Sequence, residues 1–213
     1  MHLNGIVFGL DNNIEEIIVE LEEPIEVVHC CYEAPTVLFH DSKKLILNCD
    51  SIKSTMESLD IVITKALQNQ LPLHTSIQGN IGYLYTHYKF YSCNKEKVKP
   101  LGVVFEGNPE SWVGGKHLLW AYDIAVWVYN DVDGSIVLEF TPWYFGKNYM
   151  YDDDDNGIDD EDYSEYEQFL KDYKSLFTRK ISHETAQLWL DQANSILQQI
   201  EKNIVRLQEE GKF

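Results

Sequence analysis

Several chemical signatures are missing from this chain of 213 residues, and each absence removes a class. No Cys-x-x-Cys, His-Glu-x-x-His or His-x-His occurs, so the common metal spacings are absent. Gly-x-Ser-x-Gly is absent too, which removes the usual serine-hydrolase elbow. Gly115-Lys116 lacks the upstream glycine and the following Ser/Thr of a phosphate loop, because Glu110 and His117 stand there. Positive charge is scarce: 17 Lys and Arg face 35 Asp and Glu, for a net charge of −18. Such a field repels nucleic acid and anionic lipid and attracts basic proteins or cations. No basic segment followed by an apolar run opens the chain, no stretch reaches transmembrane length, and no Asn-x-Ser/Thr is present. These features predict a reduced, cytoplasmic protein with no nucleic-acid or membrane partner.

Cysteine is sparse as well: Cys30, Cys31, Cys49 and Cys93. On a strand, adjacent Cys30 and Cys31 would point to opposite faces, which argues against a shared disulfide or metal site. His29, Cys49 and Cys93 have no zinc-ligand spacing, so packed thiols are the simpler expectation, with no cofactor.

What is present is unevenly spread. Residues 1–42 carry nine acids and no base, residues 43–150 ten of each, and residues 151–213 sixteen acids and seven bases. The most apolar and best punctuated stretch is 118–142, where Asp133-Gly134 marks a hairpin. A three-residue loop, Val132 to Gly134, pairs Val128 with Leu138 and Val126 with Phe140, giving one continuous apolar face. Trp127 and Tyr129 then fall on the opposite face, where they would be interface anchors if that face were open.

Around the hairpin, residues 3–9 read as a strand. In 14–28, Ile17, Val19 and Leu21 alternate with Glu16, Glu20 and Glu22, as in a half-buried strand. Pro24 breaks it, and 25–32 reads as a further strand. Residues 36–48 form a hairpin turning at 41–44. Asp50 to Asn69 reads as a helix, with a capping box at Ser54 and Glu57. Tyr-rich 81–91 reads as a strand, and basic 95–99 as a loop. Helices follow at about 164–177 and 183–209, the second capped by Ser182. The expected fold is one α+β domain over 1–213. A mostly antiparallel sheet is built on the hairpin, with one helix from the N-terminal half and two C-terminal helices packed on it.

Residues 152–162 hold eight acids in eleven and read as an acidic loop. Within it, Asp152, Asp154, Asn156 and Asp160 approximate a calcium loop, similar to thrombospondin type-3 repeats and more loosely to EF-hands. Tyr163 stands where an EF-hand needs Glu, and Asp159 where it needs an apolar residue.

Residues 117–145 followed by 163–204 resemble a group of small acidic bacterial proteins. Their pattern is a hairpin YNDxDGxIxxExTPxY, here Tyr129 to Tyr144, then a Tyr-rich helix, then W-x-x-QA-x-x-IL, here Trp189, Gln192, Ala193, Ile196 and Leu197. Proteins of this kind are similar to the immunity proteins of bacterial polymorphic toxins, and the motif carries no catalytic role. The resemblance implies a stoichiometric inhibitor rather than an enzyme, acting on a basic toxin domain such as a nuclease. Asp152, Asp153, Asp154, Asp155, Asp159, Asp160, Glu161 and Asp162, then Glu16, Glu20 and Glu22, are the expected partner-binding residues, because dense carboxylates mimic phosphate. A calcium-binding module and an enzyme with a carboxylate site are the alternatives.

Overall fold

The computed structural model describes residues 4–11, 15–75, 77–93, 116–144 and 160–212. They form an α+β structure with two antiparallel four-stranded sheets, each a simple meander. The first contains β1 (Asn4–Gly9), β2 (Glu16–Leu21), β3 (Glu33–His40) and β4 (Lys43–Ser51). The second contains β5 (Leu118–Ala121), β6 (Ile124–Asn130), β7 (Ile136–Pro142) and β8 (Phe177–Ile181). The helices are α1 (Ile52–Leu67), α2 (Ile81–Cys93), α3 (Asp160–Asp172) and α4 (His183–Glu209).

Each meander hands its last strand to a helix through a serine cap. Ser51 Oγ accepts the Ser54 N–H at 3.1 Å, and Ser182 Oγ accepts the Thr185 N–H at 3.1 Å. The first cap lies one residue-triplet before the expected box at Ser54, and Glu57 pairs with Lys53 instead. Helices α1 and α4 then share one core with both sheets. Met56, Leu59 and Ile63 meet Phe8, Ile17 and Leu38 of the first sheet, Val126, Leu138 and Phe140 of the second, and Trp189, Ala193 and Ile200 of α4.

The hairpin takes the three-residue-loop register: Val126 faces Phe140 and Val128 faces Leu138. Gly134 sits at φ 82°, where a side chain is strained, and its N–H bonds to the Asp131 carbonyl at 2.9 Å. Asp133 closes the loop by accepting the Ser135 N–H and hydroxyl, and these bonds with Lys180 hold its carboxyl down at about 2. The other hairpin turns more tightly than 41–44, on Asp41 and Ser42 alone, both at positive φ.

Three expectations are overturned. Residues 25–32 are not a strand: a 3-10 turn at Ile25–Val27 leads into a second turn at Cys30 and Cys31. Residues 81–91 lie in helix α2, not a strand, with Ile81 and Leu84 packed on the hairpin's second face beside Trp127 and Tyr129. Phe177 is not the end of a helix but the start of β8, which pairs with β7 through Phe140. Helix α3 also begins earlier than 164, so Asp160, Glu161 and Asp162 form its first turn.

Gly82 explains how closely α2 approaches the sheet. A Cβ there would stand 2.5 Å from Thr141 Oγ1 and 2.8 Å from the Tyr173 hydroxyl. Gly82→Ala should push the helix off β7 and cost about 1–3 kcal/mol despite the better helix propensity of Ala. Urea denaturation measures this, and a neutral or stabilising result would refute the close approach.

Candidate functional site

The first sheet has one face in the core and one turned away from it. Strand β2 sets the pattern, with Ile17 and Val19 buried in the core and Glu16, Ile18 and Glu20 on the outer side. The register aligns four apolar residues in a row across all four strands. Val7 pairs with Ile18, Ile18 with Val37, and Val37 with Ile46. Val7 remains 39% exposed and Ile18 and Ile46 half-buried, whereas Val37 in the middle of the row is fully buried; Phe39, two residues beyond Val37 on the same face, is 46% exposed. Lys44 reaches across β3 from β4 to Glu20, 2.7 Å away. The outer face is therefore an apolar band with carboxylates at its margin.

Of the expected binding acids, Glu16 and Glu22 are exposed, whereas Glu20 is half-buried and neutralised by Lys44. Asp152, Asp153, Asp154, Asp155 and Asp159 lie outside the described residues, as do Asn156 and the calcium pattern apart from Asp160. Asp160, Glu161 and Asp162 are placed by their backbone in α3. Trp127 and Tyr129 are not surface anchors. Leu73, Ile77, Ile81 and Leu84 cover them in a second core. On this face Phe39 and Val7 are exposed apolar residues that the sequence left unmarked; for Phe39 the signal was the apolar run of β3, where Val37, Leu38 and Phe39 give both faces apolar character.

Two titratable clusters lie elsewhere. At the junction of the sheets, Glu15 accepts from His40 Nδ1 at 2.7 Å and from Arg179 Nε and Nη2, while the His40 ring stacks on Phe177 at 3.8 Å. This joins β3 to β8. The other lies between the hairpin and α2, where Glu139 is fully buried. Its Oε2 accepts the Gly79 N–H at 2.9 Å and the Tyr129 hydroxyl at 3.1 Å. Burial raises the Glu139 carboxyl above the ordinary range, and these two donors only partly oppose it. The same burial, with Glu139 beside it, pushes the Tyr129 hydroxyl far up.

A native carboxyl that holds its proton to higher pH than the unfolded one weakens the fold as pH rises. The loss begins near the ordinary value of about 4.3 and is complete above the raised native value, at about 1.4 kcal/mol per unit of the rise. Glu139→Gln should remove that decline. Urea midpoints at pH 5 and pH 8 test it: parallel pH responses of the two proteins would show that Glu139 does not carry the effect.

His29, Cys30 and Cys31 form the one group of three or more His, Cys or acidic side chains among the described residues whose ligand atoms converge, all within 4.8 Å of one another. Cys49 stands apart on β4, opposite Pro35. Because Cys30 and Cys31 occupy a turn rather than a strand, their thiols lie side by side, Sγ to Sγ 3.6 Å. The surface grooves along α4, at the β1–α4 edge and beside α3 mix apolar and charged walls, with Glu201 and Glu209, Glu23 and Glu26, and Glu165 and Asp172 among their respective linings.

No family model, no curated protein and no solved structure matches the chain. Among the described residues, no helix is long and apolar enough to cross a membrane. The α+β fold and the geometry of the first sheet are thus what any functional reading rests on.

Proposed function

We propose that this chain is a stoichiometric binding protein for a basic protein surface, of the kind that neutralises a bacterial toxin domain such as a nuclease. The observation that carries the reading is the outer face of the first sheet. Val7, Ile18 and Ile46 stand in one row around the buried Val37, Phe39 projects beside them, and the exposed Glu16 and Glu22 flank them, with Glu20 paired to Lys44. An apolar centre supplies affinity once water is excluded, and a charged rim supplies orientation and rate. The charge of −18 supports long-range steering of a cationic partner.

Capture from the source cell tests this, with the native chain, Ile18→Arg and Phe39→Asp as parallel baits. Leu188→Arg, on the exposed side of α4, is the control. The native chain and the control should capture the same basic protein, and each face variant should weaken binding by about 30-fold or more. Equal capture by the face variants, or capture of no basic protein, would overturn the reading. Alanine at Asp152, Asp153, Asp154 and Asp155 should slow association with that partner and flatten its salt dependence. An unchanged on-rate at low salt would remove steering by this segment.

A further inference from the structure

We propose that the turn at His29, Cys30 and Cys31 is a binding site for a thiophilic metal ion of the zinc class, with two thiolates and one imidazole as ligands. The first argument is spacing. Two thiolates at about 2.3 Å from a tetrahedral zinc stand about 3.8 Å apart. The two Sγ atoms stand 3.6 Å apart, and a ring nitrogen of His29 lies within 4.8 Å of both. His29 Nδ1 is already turned toward this turn, accepting the Cys31 N–H at 3.3 Å.

The second argument is preorganisation. Neighbouring parts of the fold pin the segment on both sides of the three ligands. Asn203 of α4 donates to the Ile25 and Val28 carbonyls at 2.8 and 2.7 Å. The Tyr32 N–H bonds to the His29 carbonyl at 3.0 Å, and the Tyr32 carbonyl accepts the Ile52 N–H at 2.9 Å. The Tyr32 hydroxyl accepts the N–H groups of Glu22 and Glu23, both at 3.0 Å. A metal therefore meets ligands whose backbone is already ordered, and little ordering entropy opposes binding.

The third argument is chemical. A disulfide is the competing use of two neighbouring thiols. Adjacent Cα atoms are about 3.8 Å apart, short of the 4.4–6.8 Å that disulfides usually span. The dithiol is thus the relaxed form, and dithiol with imidazole is a soft donor set that selects zinc or copper(I) over magnesium or calcium. Cys30 is half-buried and Cys31 exposed, so an ion has a path in. Residues 1–42 contain nine acids and no base, which favours an incoming cation. Binding releases the thiol protons to solvent as the metal–sulfur bonds form. Three protein donors leave one tetrahedral position for water or an external donor.

The test uses the full-length reduced chain, freed of metal with a chelator and titrated with Co²⁺. One equivalent should produce a thiolate-to-cobalt charge-transfer band with the strong visible bands of tetrahedral cobalt, and Zn²⁺ should displace it. Cys30→Ser and Cys31→Ser should each weaken binding by more than about tenfold, the loss produced even by outer-shell changes. His29→Ala should weaken binding while retaining the sulfur band, and Cys49→Ser should leave it unchanged. Copper(I) competition under anaerobic conditions distinguishes the two soft ions. As a measurement free of variants, Zn²⁺ should protect Cys30 and Cys31, but not Cys49, from alkylation. The absence of a sulfur–cobalt band in the native chain, its survival in both serine variants, or unprotected Cys30 and Cys31 would each overturn the proposal.

Discussion

Trp127→Ala should cost this protein about 3–5 kcal/mol of stability, the range for truncating a large buried aromatic residue. For a chain of this size that lowers the melting temperature by roughly 6–20 °C. Trp127 is 1% exposed although it lies on the face of β6 that points away from the main core. Its indole N–H donates to Thr141 Oγ1 at 2.9 Å, and the Tyr85 ring of α2 meets it edge-on at 5.1 Å. Truncation removes the centre of the second core and leaves the Thr141 hydroxyl without that partner. Trp127→Phe, which keeps the ring volume better but loses the N–H, should cost less. Urea denaturation of both variants decides the matter. A surface anchor would change stability by no more than about 0.5 kcal/mol, and such a value would return Trp127 to the interface.

The double burial of β6 also shows why part of the fold is legible in sequence and part is not. The hairpin register is legible because Gly134 punctuates it and one alternate set, Val126, Val128, Leu138 and Phe140, is wholly apolar. Helix α4 is legible for a similar reason: Ser182 caps it, and Trp189, Ala193, Ile196 and Ile200 repeat at helical spacing. Helix α2 is hidden because tyrosines fill the positions between Ile81, Leu84 and Phe90. Aromatic content mimics a strand, whereas Ile81 and Leu84, three residues apart, share one helical face and Phe90 packs in a separate cluster with Tyr166. Strand β8 is hidden by a coincidence of spacing, since Phe177 falls four residues after Tyr173 and extends the apparent stripe of α3.

The candidate sites fail to show for a different reason, which is distance along the chain. The run after Pro24, with Val27, Val28 and two cysteines, has the local composition of a strand. What turns it instead is a partner far away: Asn203 satisfies the carbonyls of Ile25 and Val28 from α4. A local pattern cannot register a hydrogen bond supplied by a residue on the last helix. The same holds for the outer row of the first sheet. In sequence Ile18 stands alone between Glu16 and Glu20; only strand pairing brings Val7, Val37 and Ile46 beside it. Charge led sequence reading to the acids alone, whereas the strand register adds the apolar surface between them.

Asn130 shows the same long-range logic in the main scaffold, and its substitution should be the second large effect. It ends β6 in a fully enclosed position, where its Oδ1 accepts the Leu71 N–H at 3.0 Å and its Nδ2 donates to the Ala66 carbonyl at 2.8 Å. Its own N–H bonds to the Leu71 carbonyl at 2.8 Å, so the segment leaving α1 is stitched to the hairpin by backbone and side chain together. Asn130→Ala keeps the backbone bond but strands the Leu71 N–H in the interior and opens a small void. An orphaned buried donor costs about 1–3 kcal/mol, and the void adds to it, for a total of about 2–4 kcal/mol. Asn130→Asp separates this account from simple loss of volume. The acid is nearly isosteric and retains the bond from Leu71, but it sets a second carboxylate oxygen against the Ala66 carbonyl, where a donor is required. A buried charge facing an acceptor is costly, so Asp should destabilise the protein at neutral pH at least as much as Ala. It should recover on acidification, when the protonated carboxyl can donate to Ala66. Urea midpoints at pH 5 and pH 8 measure both effects. If Asp is milder than Ala at pH 8, or if its deficit does not shrink at pH 5, the Asn130 amide does not hold Ala66 in the way described.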